Sequence, residues 1–254
     1  MHIECKHPVK LSWQLDFDQL KDALAPFSTR TRKKIIKAQL LLADHDYSIR
    51  CEDLSEELVD RFVAIYKLHM QAIGGIVHDV KQRVYVSPPH SHPYKVISIY
   101  LKDIYLGGLI FSDRVTHLVT AYKAIPHKLK HSLPISSSFV IEAALNKYAI
   151  EHNCKYIRRG KDRNLYGPNL SIGLALYKLQ IGTYPRLVPN SKLKPSTGFN
   201  WSNKDTLVFL APQEGNRITE GIIYSTSNQA ELQLAYPLLF NQSKLTITPH
   251  KIDG

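Results

Sequence analysis

The chain has 254 residues, 44% of them hydrophobic, which is enough for a full core and is the composition of a globular protein. Its 33 Lys and Arg against 22 Asp and Glu give a formal net charge of +11, which favours an anionic partner such as a nucleotide-containing cofactor, an acidic carrier protein, tRNA or an anionic lipid surface. The apolar stretches are too short to span a bilayer, no apolar run follows a basic start, and three widely spaced cysteines argue against a disulfide framework, so the expectation is a soluble cytoplasmic protein.

Residues 1–24 read as an N-terminal segment. Thr29 or Thr31 caps a helix over residues 32–40, a short strand alternates over 47–51, and a second helix opens at Asp53. Leu58, Phe62, Ile65, Tyr66 and Met70 recur at helical spacing and mark its buried stripe, which Gly74-Gly75 ends. A loop around Pro88-Pro89-His90 precedes a β meander with strands at 94–101, 104–111 and 117–122. His90-Ser91-His92 lies on that Pro-rich loop without companion ligands and reads as a loop before it reads as a metal site.

Beyond a basic connection, Ser136, Ser137 and Ser138 start a helix running to about His152. A strand at 155–158 leads to a loop over 159–169, a helix over 172–181 stopped by Gly182, and a strand at 184–188. Residues 189–203 form a Pro/Ser/Asn-rich connector, strands follow near 206–210 and 221–224, residues 230–240 fit helix or strand, and 248–254 read as loose. This order makes an α/β (α+β) protein with a mixed sheet and helices on its faces.

The stretch Ser28-Thr29-Arg30-Thr31-Arg32-Lys33-Lys34-Ile35-Ile36-Lys37-Ala38 resembles the opening helix of the GNAT-like domain in FemAB-type aminoacyltransferases and their single-domain relatives. Gly107-Gly108-Leu109-Ile110, Arg159-Gly160-Lys161-Asp162 and Leu176-Tyr177-Lys178-Leu179-Gln180-Ile181-Gly182 follow in the order that family shows. The resemblance covers residues 25–190 and implies a GNAT-like acyltransferase domain with a mostly antiparallel central sheet flanked by helices. Residues 191–254 are then a C-terminal extension. The glycine-rich pyrophosphate loop of ordinary GNAT acetyltransferases is absent, its place held by His127-Lys128-Leu129-Lys130-His131.

The resemblance implies N-acyl transfer from a thioester, acyl-CoA or an acyl-carrier protein, to a small amine without a metal. Aminoacyl transfer from tRNA is the variant within the same chemistry. Reaction is expected where the strands at 117–122 and 155–158 splay, because backbone N–H groups there can polarise a carbonyl. Lys178 matches the family lysine that stabilises developing negative charge, or is a solvent-facing helical lysine. Asp162 orients the acceptor amine or accepts its proton, or is a turn residue paired with Arg163.

Tyr166 protonates the leaving group or is a structural aromatic beside Gly167-Pro168. Tyr122 lines the acceptor pocket or packs in the core, and His117 is a candidate base or a packed strand histidine. Ser136, Ser137 and Ser138 at a helix N-terminus, with Lys128, Lys130, Arg158, Arg159 and Arg163, are the candidates for the anionic donor, or else a cap and surface charges. No nucleophile elbow, zinc-protease motif or P-loop is present. A nucleic-acid-binding module is the rival from outside enzymology, carried by the charge clusters with Tyr156 and Tyr166 among them, though no RNA or DNA motif supports it. A GNAT fold kept only as a scaffold is the third reading.

Overall fold

Ser28 fixes the start of α1 (Thr29–Asp44): its hydroxyl accepts from the Thr31 N–H at 3.3 Å, one residue before the expected threonine cap. Ile35, Ala38 and Leu42 lie three and four residues apart and bury one stripe of the helix. This is the computed structural model of the chain, and it describes residues 6–17, 20–125, 133–168, 170–195, 205–241 and 244–252. The chain forms two compact units, Asp16–Arg158 and the remainder, Met1–Leu15 with Arg159–Gly254.

In the unit Asp16–Arg158, β3 (Tyr47–Asp53) follows α1, and α2 (Glu56–Ala72) follows β3. Ser55 caps α2 by accepting from the Leu58 N–H at 3.2 Å, and Glu56 and Glu57 sit in the first turn, where the helix dipole favours negative charge. A π-helical turn at Gln82–Val86, just before the Pro-rich loop, buries Val84. The meander is as expected: β4 (Tyr94–Leu101), β5 (Ile104–Asp113) and β6 (His117–Ala124) pair antiparallel, and β3 pairs antiparallel with β4.

Gly108 is required inside β5, since a Cβ there would lie 2.4 Å from the Ile97 carbonyl oxygen. The core between α2 and the sheet is built from Phe62, Tyr66, Val96 and Ile110. After α3 (Ser137–Glu151), β7 (Tyr156–Arg163) begins alongside β6 in parallel. That pairing covers three residue pairs, from His117↔Tyr156 to Val119↔Arg158.

The other unit is organised around Trp13. Two strands come from the segment before residue 25: β1 (Lys6–Pro8) and β2 (Lys10–Asp16). Leu11, Trp13 and Leu15 alternate inward along β2 and join the core of this unit. β2 pairs antiparallel with β8 (Tyr184–Leu187), which follows α4 (Ile172–Gln180), and β1 pairs with β9 (Leu193–Pro195). β10 (Thr206–Phe209), β11 (Glu220–Ser225) and β12 (Thr246–Lys251) make a separate sheet.

The ambiguous stretch at 230–240 is two short helices, α5 (Gln229–Ala235) and α6 (Pro237–Phe240). The end of the chain is not loose as expected: residues through Lys251 pair in parallel with β11. Trp13 is fully buried, edge-on to Tyr166 and Phe209 with ring centroids at 6.4 and 5.5 Å.

Within the unit Asp16–Arg158 the sheet runs β3-β4-β5-β6-β7, antiparallel except for β6 with β7, with helices flanking it. This is the mixed α/β, GNAT-like architecture that the sequence implied. The expected loop at 159–169 is strand as far as Arg163.

Candidate active site

Gly160 interrupts β7 with φ +55, a conformation that glycine adopts without strain, and the strand then delivers Asp162. Ser171 caps α4 by accepting from the Gly173 N–H at 3.0 Å, and seven residues later Lys178 lies in its last turn, where the dipole favours a cation. β2 supplies Trp13, and Tyr166 follows β7. These four side chains meet on one oxygen. Asp162 Oδ2 accepts from Lys178 Nζ at 2.6 Å, from Tyr166 Oη at 2.8 Å and from Trp13 Nε1 at 2.9 Å. Trp13 Nε1 also lies 3.1 Å from Tyr166 Oη.

The Lys178 and Asp162 side chains are only 11% and 12% exposed, so this is a buried ion pair and not a solvated one. Burial pushes the Lys178 ammonium below its ordinary pKa, the Asp162 charge and hydrogen bond pull the other way, and nearby Arg159 lowers it further. The net direction is down, so Lys178 releases its proton more readily than a surface lysine does. Lys178 Nζ also sits 5.5 Å from the Trp13 ring centroid.

Burial and the Asp162 carboxylate together drive the Tyr166 phenol far above its ordinary range. Tyr166 is wholly buried, and its hydroxyl donates to Asp162 Oδ2.

Three of the four catalytic candidates, Lys178, Asp162 and Tyr166, are thus brought together, and the partner of Asp162 is Lys178 and not Arg163. The fourth, Tyr122, belongs to the other unit. There its ring is edge-on to Tyr66 at 5.7 Å, with Arg83 Nη1 donating to its hydroxyl at 3.4 Å. Trp13 is the member that sequence reasoning missed. The alternation Leu11-Ser12-Trp13-Gln14-Leu15 was the signal that would have placed it in a strand.

The serines behave as a cap. Ser136 Oγ accepts from the Ser138 N–H at 3.3 Å, Ser137 is buried, and Ser138 Oγ accepts from Lys123 Nζ at 2.9 Å. Lys128 and Lys130 lie outside the described residues. Arg159 is buried and Arg163 exposed on the strand that carries Asp162, whereas Arg158 lies in the other unit, near Tyr156 and His117. His117 stacks on Tyr156 at 4.5 Å, and burial with Arg158, Arg114 and His92 lowers its pKa.

A cleft of about 760 Å³ in the same unit as Lys178 is lined by Gly167, Ser171, Gly173, Asp205, Ser227 and Tyr236 among others. Neither Asp162 nor Lys178 lines it. Asp205 accepts from Tyr236 Oη at 2.7 Å and from the Ser225 hydroxyl. Gly167, at φ +116, has no room for a side chain, because a Cβ would fall 2.1 Å from the Asp205 carbonyl oxygen. No group of three His, Cys, Asp or Glu side chains among the described residues is placed to hold a metal ion.

No family model and no curated protein matches the chain. Among solved structures, FemX superposes with a TM-score of 0.55 at 15% identity, covering 73% of this chain and 61% of FemX. Looser overlays, which carry no argument, are to L-PGS from Bacillus licheniformis (TM-score 0.41, 12% identity, 61% of this chain and 47% of that one) and to a tandem GNAT protein from the clavulanic acid biosynthesis pathway (0.40, 11%, 70% and 50%). The chain spans about three fifths of the length of FemX or less for the other two. At these identities the likeness is one of fold, and the fold is FemAB-like and GNAT-related, as the order of the sequence motifs indicated.

Proposed function

We propose that this chain is an N-acyltransferase that moves an acyl group from an activated ester or thioester to a small amine. The observation that carries the reading is the buried Lys178–Asp162 pair, 2.6 Å apart, within a FemAB-like fold and at the position where the family resemblance puts a lysine. In such a transfer the neutral amine attacks the acyl carbonyl, the carbonyl oxygen gains negative charge, and the C–S or C–O bond to the donor breaks. The proton that the amine loses ends on the departing sulfur or oxygen. Lys178 Nζ is the donor for the developing oxyanion, and Asp162 keeps it charged and aimed. Tyr166 and Trp13 hold Asp162 in turn. Arg159 and Arg163, on the same strand as Asp162, are the cations of this unit proposed for the anionic part of the donor.

The donor is read as an acyl-CoA or an acyl-carrier protein. Aminoacyl-tRNA is the second reading, and the FemX-like fold together with the net charge of +11 favours it. Both belong in the cytoplasm, and the cysteines among the described residues, Cys51 and Cys154, are free thiols. No helix among the described residues is long and apolar enough to cross a membrane.

The test offers the purified chain acetyl-CoA, longer acyl-CoAs, acyl-carrier protein and aminoacyl-tRNA with a panel of amines, and follows release of free thiol or deacylated tRNA. Turnover of one donor, reduced about 100- to 1,000-fold in Lys178→Met, is the expected result. Absence of turnover, with no donor raising the thermal midpoint, would leave the scaffold reading standing in place of this one.

A further inference from the structure

The unit Asp16–Arg158 carries a cluster of cationic and aromatic side chains that the acyl-transfer reading does not use. By strand register, Tyr94, Ser112, Val119 and Arg158 form one cross-strand row on a single face of the sheet. His117 and Tyr156 lie one step further along the same face, paired and stacked. The β5–β6 turn brings Arg114 to this end, with its N–H bonded to the His117 carbonyl at 3.0 Å. The loop before β4 brings His90 and His92, whose rings are 5.4 Å apart, and His90 stacks on Tyr94 at 5.2 Å.

These groups form one connected cluster, since Arg114 and His92 act electrostatically on both His90 and His117, and Arg158 acts on His117. The permanently charged neighbours that bear on the two imidazoles are the guanidinium groups of Arg114 and Arg158, and no carboxylate is among them. The acid next in sequence, Asp113, is engaged elsewhere: its Oδ2 accepts from Tyr148 of α3 at 2.7 Å and its Oδ1 from the Val115 N–H at 3.1 Å. His90 Nε2 pairs with Tyr94 Oη at 3.2 Å, backbone groups of His90 and His92 also bond the His90 ring, and His117 Nδ1 pairs with Thr116 Oγ1 at 3.1 Å.

His117 Nε2, Arg114 Nε and Ser112 Oγ are buried without a hydrogen-bond partner among the described residues. Buried polar atoms are rarely left so, and three together mark a set of groups waiting for a polar ligand. Guanidinium forks beside imidazoles, with no carboxylate among them, suit a compact multiply charged oxyanion.

We infer that Arg114, Arg158, His90 and His117 form a phosphate-binding site on this face, separate from the residues proposed for acyl transfer. A phosphate supplies acceptors for Arg114, Arg158 and, after a small side-chain rotation, the orphaned His117 Nε2. The stacked His117–Tyr156 pair beside it offers a flat aromatic surface to whatever carries the phosphate. The phosphate belongs either to a small phosphorylated molecule or to a single-stranded RNA backbone.

The experiment titrates inorganic pyrophosphate into the full chain by calorimetry at fixed ionic strength, with sulfate as comparison. The histidine C2–H signals of the unvaried protein are followed in parallel by NMR. The expected result is saturable binding that moves two histidine signals and weakens about tenfold or more in Arg114→Gln and in Arg158→Gln, with Lys37→Gln on the exposed face of α1 unchanged. The NMR arm needs no variant, so a misfolded Arg114→Gln protein does not blunt the test. Displacement of pyrophosphate by a short oligouridylate makes RNA the source, and displacement by glycerol phosphate alone makes it a small metabolite. Pyrophosphate binding no stronger than sulfate, or untouched by both arginine variants, overturns the proposal. Loss of acyl transfer in Lys178→Met has no bearing on it, since the two residue sets share no member.

Discussion

Asp162→Asn tests whether the buried pair is the electrostatic centre of its unit. The substitution keeps the shape and leaves an amide oxygen for Trp13 and Tyr166, but removes the charge that compensates Lys178. Taking one partner from a buried pair costs roughly 3–5 kcal/mol. Both side chains are nine-tenths buried, so solvent screening takes little off, and the two surviving donors put the expected loss near the lower end, about 3 kcal/mol. That is about a hundredfold in the folding equilibrium.

The loss is read by urea unfolding on a Trp201→Phe background, where Trp13 becomes the only indole of the chain's two and reports on its own unit. The pH dependence has a fixed sign. Lys178 already has a folded pKa below its unfolded value, and removing Asp162 lowers it further. In the window between the folded and unfolded values the unfolded chain binds more protons, so stability rises with pH there. The variant enters that window at lower pH than the parent, so its deficit narrows as pH is raised from 7 towards 10.5. The double variant Asp162→Asn/Lys178→Met removes the stranded charge and should recover much of the loss. A deficit below about 1 kcal/mol, or a double variant no more stable than Asp162→Asn, would refute the pair as a coupled buried unit.

Gly167→Ala should lower the unfolding free energy by about 3 kcal/mol, since its φ is left-handed and its Cβ would collide with the Asp205 carbonyl; a calorimetric midpoint measures it. Ser171→Ala should cost about 1 kcal/mol through loss of the α4 cap, read as the same midpoint shift, with Ser171→Gly costing only a few tenths. His90 and His117 should titrate below the ordinary 6.5 in NMR, both from burial and from Arg114 and His92, with Arg158 acting on His117 as well. Their folded pKa values are depressed, so the unfolded chain takes up protons first and stability falls as pH drops through about 6.5. Saturating pyrophosphate should raise both titration midpoints.

The elements that the sequence made legible are those whose core contacts are local or strictly periodic. α2 announces itself by Leu58, Phe62 and Tyr66 on one stripe, and the β4–β5–β6 meander by short turns between apolar runs. The elements that escaped take their stability from distant partners. β12 offers one buried aliphatic, Ile247, and owes its order to parallel pairing with β11, which lies some twenty residues earlier. β7 continues through Arg159-Gly160-Lys161-Asp162-Arg163, a stretch whose polarity and glycine read as loop, because Asp162 is held by its ion pair with Lys178 and not by apolar burial.

The candidate site shows the same division. Lys178, Asp162 and Tyr166 could each be singled out from their surroundings, but each had a bland alternative that the sequence could not dismiss. What separates the readings is that three donors from β2, α4 and the segment after β7 share one carboxylate oxygen. A solvent-facing lysine and a turn aspartate, taken independently, have no reason to be buried together, so the juxtaposition is stronger evidence for a function than either residue. The cationic cluster near Arg114 follows the opposite logic. Its histidines and arginines stand out one by one as loop and surface residues, and only the strand register of His117 and Arg158, with the stacking of His90 on Tyr94 and the Arg114 bond to His117, brings them together. A buried acid closes the first cluster on itself and gives it a defined geometry for chemistry. Its absence leaves the second open to an anion from outside, which is why the first is read as a place for reaction and the second as a place for binding.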